Sequence, residues 1–280
     1  MRLQAFVLST FLFVVTCSEP ELTLDNDFDP DNPEFDPPNT TILAIDAIHL
    51  DSDGIDVDVQ DLIIKWVGNE DMEMQFRSQL DGEGWSDWSS DQQKQLEFLD
   101  EGNHRFLVQG RFMSGMIEDL PDTLDFVVDA IQGPALRMNP LKQKVALGDS
   151  VIVQIMAEEM AAVSGAGIII KFNHPFLQLD ESDVFIGEFF NGVGQVIPFT
   201  SLTVISSNVT ALELDIAATG GNITAQDGVI AELRFLAISS GDEKRVWFEP
   251  TTTMRDADNI DIWTDLGMTP VLEEGLVDIE

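Results

Sequence analysis

Val163-Ser164-Gly165-Ala166-Gly167-Ile168-Ile169-Ile170-Lys171-Phe172-Asn173-His174-Pro175 is the stretch on which the reading of this chain turns. Gly165 and Gly167 permit a close backbone approach or a bulge, and Ile168–Ile170 with Phe172 fit a central strand buried in a sandwich. Working outward, Gly148-Asp149 suits a tight turn before the strand Val151–Ala157. Leu233, Phe235 and Ala237 alternate with Glu232, Arg234 and Leu236, mostly the period of a half-buried strand. From Thr41 onward no 3.6-residue apolar pattern is sustained; short runs of Val, Ile, Phe and Leu recur between Gly, Asn and Asp clusters. That is the pattern of an all-β chain of two sandwiches, with a hinge at Gln132-Gly133-Pro134 between residues 41–131 and residues 134–280.

In the second module, Leu136–Pro140, Val145–Ser150, the Gly165–Phe172 run, Gly228–Ala237, Val246–Glu249 and Met254–Asn259 follow one another in an order that resembles the cohesin domain. The likeness runs over nearly the whole module, although Asn173-His174-Pro175 stands where the family usually has Asp-Pro. It implies a nine-strand jelly roll related to carbohydrate-binding modules. It also implies a non-catalytic role, in which one flat face holds a dockerin, a small calcium-binding helical module of another protein. The implied face involves the strands around Gly165–Phe172 and Phe199–Ile205; Asn173, Gln195, Thr200 and Ser206, polar residues at their ends, are the candidate partner contacts. No cofactor is expected in this chain, and calcium, where it enters, is expected on the partner. Direct binding of carbohydrate is the alternative, because fold does not fix function. Against it stands a shortage of aromatic side chains: the module has only Trp247 and Trp263 and no Tyr, and core packing is the expected role of Trp247 in Val246-Trp247-Phe248.

The first module has candidate strands at Thr41–Ile48, Asp61–Val67, Met72–Leu80, Gln95–Leu99, Arg105–Arg111 and Thr123–Asp129. Its turn Asp81-Gly82-Glu83-Gly84, then Trp85-Ser86-Asp87-Trp88-Ser89, then Leu99–Phe106, resembles the Ig-like domains of bacterial surface proteins, which are similar to fibronectin type III modules. Trp-Ser-x-Trp-Ser also occurs in cytokine receptors, but there before the last strand, whereas here it follows a middle one. Trp85 and Trp88 are either a sugar-stacking platform or a cap on the sandwich.

Met1–Thr16 has one basic residue, Arg2, and then a run rich in Phe, Leu and Val. It falls short of the ~20 apolar residues that span a membrane and has the layout of a secretory signal. Cys17, the sole cysteine, follows at once and resembles the acylated cysteine of bacterial lipoproteins, with Thr16 in place of the usual small residue. The other reading is an ordinary signal with a chance cysteine. Acylation would tie the chain to the bacterial cell envelope, and Ser18 rather than Asp favours the outer membrane or cell surface. Residues 18–38 then carry eight acids, no bases and five prolines, so residues 17–40 read as an extended, self-repelling tether.

Lys+Arg 14 against Asp+Glu 51 leaves a formal net charge of −37, spread over tether and modules alike, which excludes nucleic acid as a partner. Asp25, Asp27, Asp29 and Asp31, and the turn Asp51–Asp56, lack the glycine or the end carboxylates that a calcium loop needs. The three histidines are far apart, and no phosphate loop, HExxH or Gly-x-Ser-x-Gly is present, so no enzyme is expected. The expectation is a surface-anchored binding protein, tied to the membrane by lipid and holding a secreted protein or a polysaccharide, in the service of polysaccharide breakdown.

Overall fold

The computed structural model describes residues 31–280 apart from 47–48, 51–54, 71, 193 and 224–225. Cys17, the leader, most of the tether and most of the Asp51–Asp56 turn lie outside the described residues.

The first module contains β1 (Thr41–Asp46), β2 (His49–Leu50), β3 (Ile55–Val57), β4 (Leu62–Val67), β5 (Met74–Leu80), β6 (Gln93–Leu96), β7 (Gly102–Phe112) and β8 (Asp122–Val128). One sheet has the order β1-β4-β6 and the other β2-β3-β8-β7-β5. Alternation sorts the side chains: Leu62, Ile64 and Trp66 of β4 are buried, while Ile63, Lys65 and Val67 are not. Trp66 meets Phe106 at 6.0 Å and Phe76 at 6.3 Å between ring centres, so aromatic packing joins the two sheets. His104 belongs to this framework. Its Nδ1 is 2.7 Å from Asp81, its Nε2 is 2.7 Å from the Asp100 carbonyl, and its ring stacks on Phe126.

Residues 31–40 are not free spacer. Phe35 packs against the core of the first module, and Asn32 and Thr40 are buried. The Thr40 amide donates to Glu118 at 2.7 Å, and Asn69 donates to Asp36 and to the Pro37 carbonyl. One aromatic ring and a few amide bonds are enough to hold a proline-rich segment whose entropy is already low.

The second module contains β9 (Ala135–Asn139), β10 (Lys142–Val145), β11 (Ser150–Met160), β12 (Gly165–Phe172), β13 (Leu177–Gln178), β14 (Val184–Ile186), β15 (Val196–Val204), β16 (Thr210–Ala218), β17 (Gln226–Ala237), β18 (Gly241–Phe248), β19 (Thr253–Arg255), β20 (Val271–Glu273), β21 (Gly275–Ile279) and one short helix, α1 (Ile262–Leu266). One sheet runs β10-β21-β18-β12-β16-β15 and the other β13-β17-β11-β9-β20, with β19 on β12 and β14 on β17. The expected jelly roll is thus cut into more pieces than nine, because the first and last strands each change sheets, while β13 and β14 share β17 as partner and β18 and β19 share β12. The chain leaves β9, paired with β11, at Asn139-Pro140 and enters β10, paired with β21. Likewise β20 lies on β9, whereas β21 lies on β18. Between the sheets, Phe172 and Phe235 meet edge to face at 5.1 Å. Gly165 is required where it stands: a Cβ would come 2.9 Å from the Ile216 carbonyl oxygen.

The hinge is pinned. Asp100 of the first module accepts the Leu141 amide at 2.7 Å, and Glu101 accepts those of Ala130 and Ile131. The Gly133 amide donates to Glu159, and the Trp263 indole donates to the Pro134 carbonyl at 2.8 Å. Arg137 pairs with Glu158 at 2.5 Å beside them. Burial holds the carboxyls of Asp100, Glu101 and Glu158 above their ordinary ranges, outweighing the amide bonds and the Arg137 charge. Folding therefore takes up protons here. The stability these groups contribute is complete below the ordinary carboxylate range and is lost as the pH rises through their folded values. Acidification from neutrality to about pH 5 is expected to raise the thermal midpoint, helped by relief of self-repulsion in a chain of charge −37. Asp100→Asn keeps an acceptor for Leu141 and is expected to flatten this rise; a midpoint that falls on acidification would contradict the account.

Candidate functional site: the open face of the second module

The two outer faces of the second sandwich are used differently. Arg137 of β9, Met156 and Glu158 of β11 and Asp227 of β17 line a cleft shared with Asp56, Glu101 and Val128 of the first module. The first module thus meets one end of the β9–β11–β17 sheet, on which Ile152 and Leu236 remain exposed. The face of β18, β12, β16 and β15 is open.

Register lays out that open face in rows. Phe199 of β15 lies beside Asp215 of β16, which lies beside Gly167 of β12. Next come Ser201, Glu213 and Ile169, then Thr203, Ala211, Lys171 and Trp247 of β18. On the other side of the Phe199 row, Ile197, Ala217, Gly165 and Arg255 complete the set. The glycines and Ala217 make a low floor. Ile197 and Phe199 form one wall, and the loop Arg255–Asn259 forms the other. Phe199 is 64% exposed and Ile197 51%. Apolar side chains this open, flanked by the exposed carboxylates of Glu213 and Asp215, are suited to a protein surface that brings apolar and basic groups together.

Trp247 lies on this face and not in the core. Its neighbours Val246 and Phe248 are buried, so alternation turns Trp247 outward, with the Arg245 guanidinium 5.0 Å from its ring centre. The module's buried tryptophan is Trp263.

The four polar candidates do not form one patch. Asn173 is a corner: its side-chain oxygen accepts the Arg245 amide at 2.9 Å, and its carbonyl accepts those of Phe176 and Leu177. Ser206 sits in the exposed β15–β16 turn at the same end of the sheet, where it accepts the Asn208 amide. Gln195 precedes β15 at the opposite end, ~27 Å away along a nine-residue strand. Thr200 pairs with buried Leu214, on the inner side of β15. Glu213, Asp215, Phe199 and Trp247 stand on the open face instead; the alternation of β16 (Leu212, Leu214, Ile216 inward) could have identified the first two.

In the first module, Trp85 and Trp88 interleave with arginines. The Arg77 guanidinium lies 4.6 Å from the Trp85 ring and 4.7 Å from that of Trp88, and Arg111 lies 4.4 Å from Trp88. Across the β5–β7 pair, Arg77 donates to Gln109 and Arg111 to Gln75, which fixes both guanidinium planes. One guanidinium lies over the Trp85 ring and two over that of Trp88, and the stack ties the Trp85–Ser89 segment down onto the sheet. Arg77→Ala is expected to cost about 1–3 kcal/mol of stability through two cation–π contacts and the Gln109 bond. Chemical denaturation checks this; no change would mean that the stack contributes nothing.

Solved structures that resemble the chain are cohesins. A type II cohesin A11 from Bacteroides cellulosolvens is 18% identical, over 52% of this chain and 99% of that one, with a TM-score of 0.41. A type II cohesin from the cellulosome of Acetivibrio cellulolyticus is 14% identical, over 51% and 94%, also at 0.41. A cohesin–dockerin complex from Clostridium thermocellum is 20% identical, over 52% and 98%, at 0.38. No family model and no curated protein matches the chain.

Proposed function

We propose that residues 134–280 form a non-catalytic, cohesin-like recognition module that holds a dockerin-type partner on the face of β18, β12, β16 and β15. The observation that carries this reading is the low groove on that face, floored by Gly165, Gly167 and Ala217 and walled by Phe199, Ile197 and the Arg255–Asn259 loop, with the carboxylates of Glu213 and Asp215 exposed beside it. The cohesin-like order of motifs supports the same reading. The rest of the chain serves display: acylation at Cys17 anchors it to the bacterial envelope, and the first module holds the recognition face away from the membrane, where secreted polysaccharide-degrading proteins are gathered.

The test immobilises the chain from Cys17 onward and exposes it to the organism's secreted proteins, with calcium and then with chelator. Retention of a protein carrying a pair of calcium-binding loops, released by the chelator, is expected. If nothing is retained while soluble polysaccharide slows the chain on an affinity gel, glycan binding replaces the proposal.

A further inference from the structure

Among the described residues, the exposed large apolar side chains of the first module are Leu43, Val67, Met113, Ile117 and Leu120, and all five lie at one end. It is the end at which the chain enters. Val67 pairs with Thr41 at the mouth of β1, and Leu43 is two residues further on. The other three belong to the β7–β8 connection, which is built and not slack. Arg111 bridges Ile117, the Phe112 amide donates to the Met116 carbonyl, and Gly115 makes the turn at φ +93°. Inside it, the Glu118 carboxylate accepts the amides of Thr40 and Gly110, which ties the connection to the entering chain. Of the two acids in this connection Glu118 is turned inward and Asp119 outward, while Leu120 is 79% exposed.

We infer that this rim rests on the lipid bilayer to which the chain is anchored, with Met113, Ile117 and Leu120 entering the interfacial layer. The inference rests on the anchored reading of Cys17. Residues 31–40 are packed against the module at this same end, so residues 18–30 lie between Cys17 and the described residues. Thirteen residues span at most ~45 Å fully extended, so the rim stays within that distance of the surface. At the far end of β7 and β8, Asp100 holds the second module through the Leu141 amide, and Glu101 holds Ala130 and Ile131 just before the hinge. The chain therefore enters at the apolar end and carries its recognition face at the other. Because the net charge is −37, the attraction must be apolar, and anionic lipid should weaken it.

The test uses the full acylated chain on phosphatidylcholine vesicles, with Leu120→Cys carrying an environment-sensitive fluorophore and Ser150→Cys as the distal control; Cys17 is consumed by acylation. Quenching by bromine-labelled lipid at position 120 and not at 150 is expected. A chain that floats with vesicles but shows no quenching at 120 overturns the rim and leaves the anchor standing, while acylation is followed separately by the mass of the N-terminal peptide. A second measurement does not need the anchor. Unacylated Cys17→Ser chain is expected to bind phosphatidylcholine vesicles weakly, and Met113→Ser, Ile117→Ser and Leu120→Ser together to weaken that binding at least tenfold. Equal binding by the two chains, no binding by either, or a serine variant that changes only the sedimentation of the free chain would overturn the proposal, the last assigning the rim to self-association.

Discussion

Replacing Trp263 by alanine is expected to lower the unfolding free energy of the second module by about 3–5 kcal/mol. Trp263 is fully buried on α1, a helix of barely more than one turn. So short a helix has little stability of its own. Asp261 caps it, accepting the Thr264 amide at 3.1 Å and the Thr264 hydroxyl at 2.8 Å, and Gly267 closes it at φ 66°. These devices set the tryptophan at the edge of the sandwich, where its indole reaches the Pro134 carbonyl. Alanine would leave a cavity and a carbonyl without its donor, which is why the loss belongs with the largest single-residue effects. Trp263→Phe fills most of the space and should lose less. Urea unfolding followed by fluorescence and circular dichroism measures both; a loss below 1 kcal/mol for alanine would show that α1 merely decorates the module.

The second large effect concerns recognition. Phe199→Ala is expected to weaken binding of the retained partner at least thirtyfold, as loss of a central aromatic anchor does. Because the side chain is 64% exposed, its removal should leave folding almost unchanged. Arg234→Ala on the opposite sheet, whose guanidinium lies 4.3 Å from the Phe185 ring centre, is the matched control, expected to stay within twofold. Calorimetric titration of both variants against the purified partner decides the matter. Equal loss in the two would mean that the open face is not the binding face.

The strands were legible wherever a period of two was clean. Residues 165–172 form β12 as expected, and the alternation around Leu233, Phe235 and Ala237 falls within β17. The same rule assigns Trp247 outward, but bulk and apolar neighbours suggest burial, and this is where intuition about composition misleads. In β15 both rows are mixed. Val196, Pro198, Thr200 and Leu202 face inward, and Ile197, Phe199, Ser201 and Thr203 face outward, so the side of Thr200 becomes visible only through its pairing with Leu214. Long-range register likewise hid the partners of Trp85 and Trp88, since Arg77 and Arg111 are brought together by the β5–β7 pairing. The packing of residues 31–40 depends on Phe35, one ring in an acidic, proline-rich stretch whose overall composition reads as spacer.

Amide hydrogen exchange of the chain, with and without the partner retained in calcium, tests the central claim most directly. The account predicts slowed exchange in β15 and β16 and in the Arg255–Asn259 loop, with β11 and β17 unchanged. Slowed exchange in β11 and β17 or around Trp85–Trp88, with β15 and β16 unaffected, would contradict it.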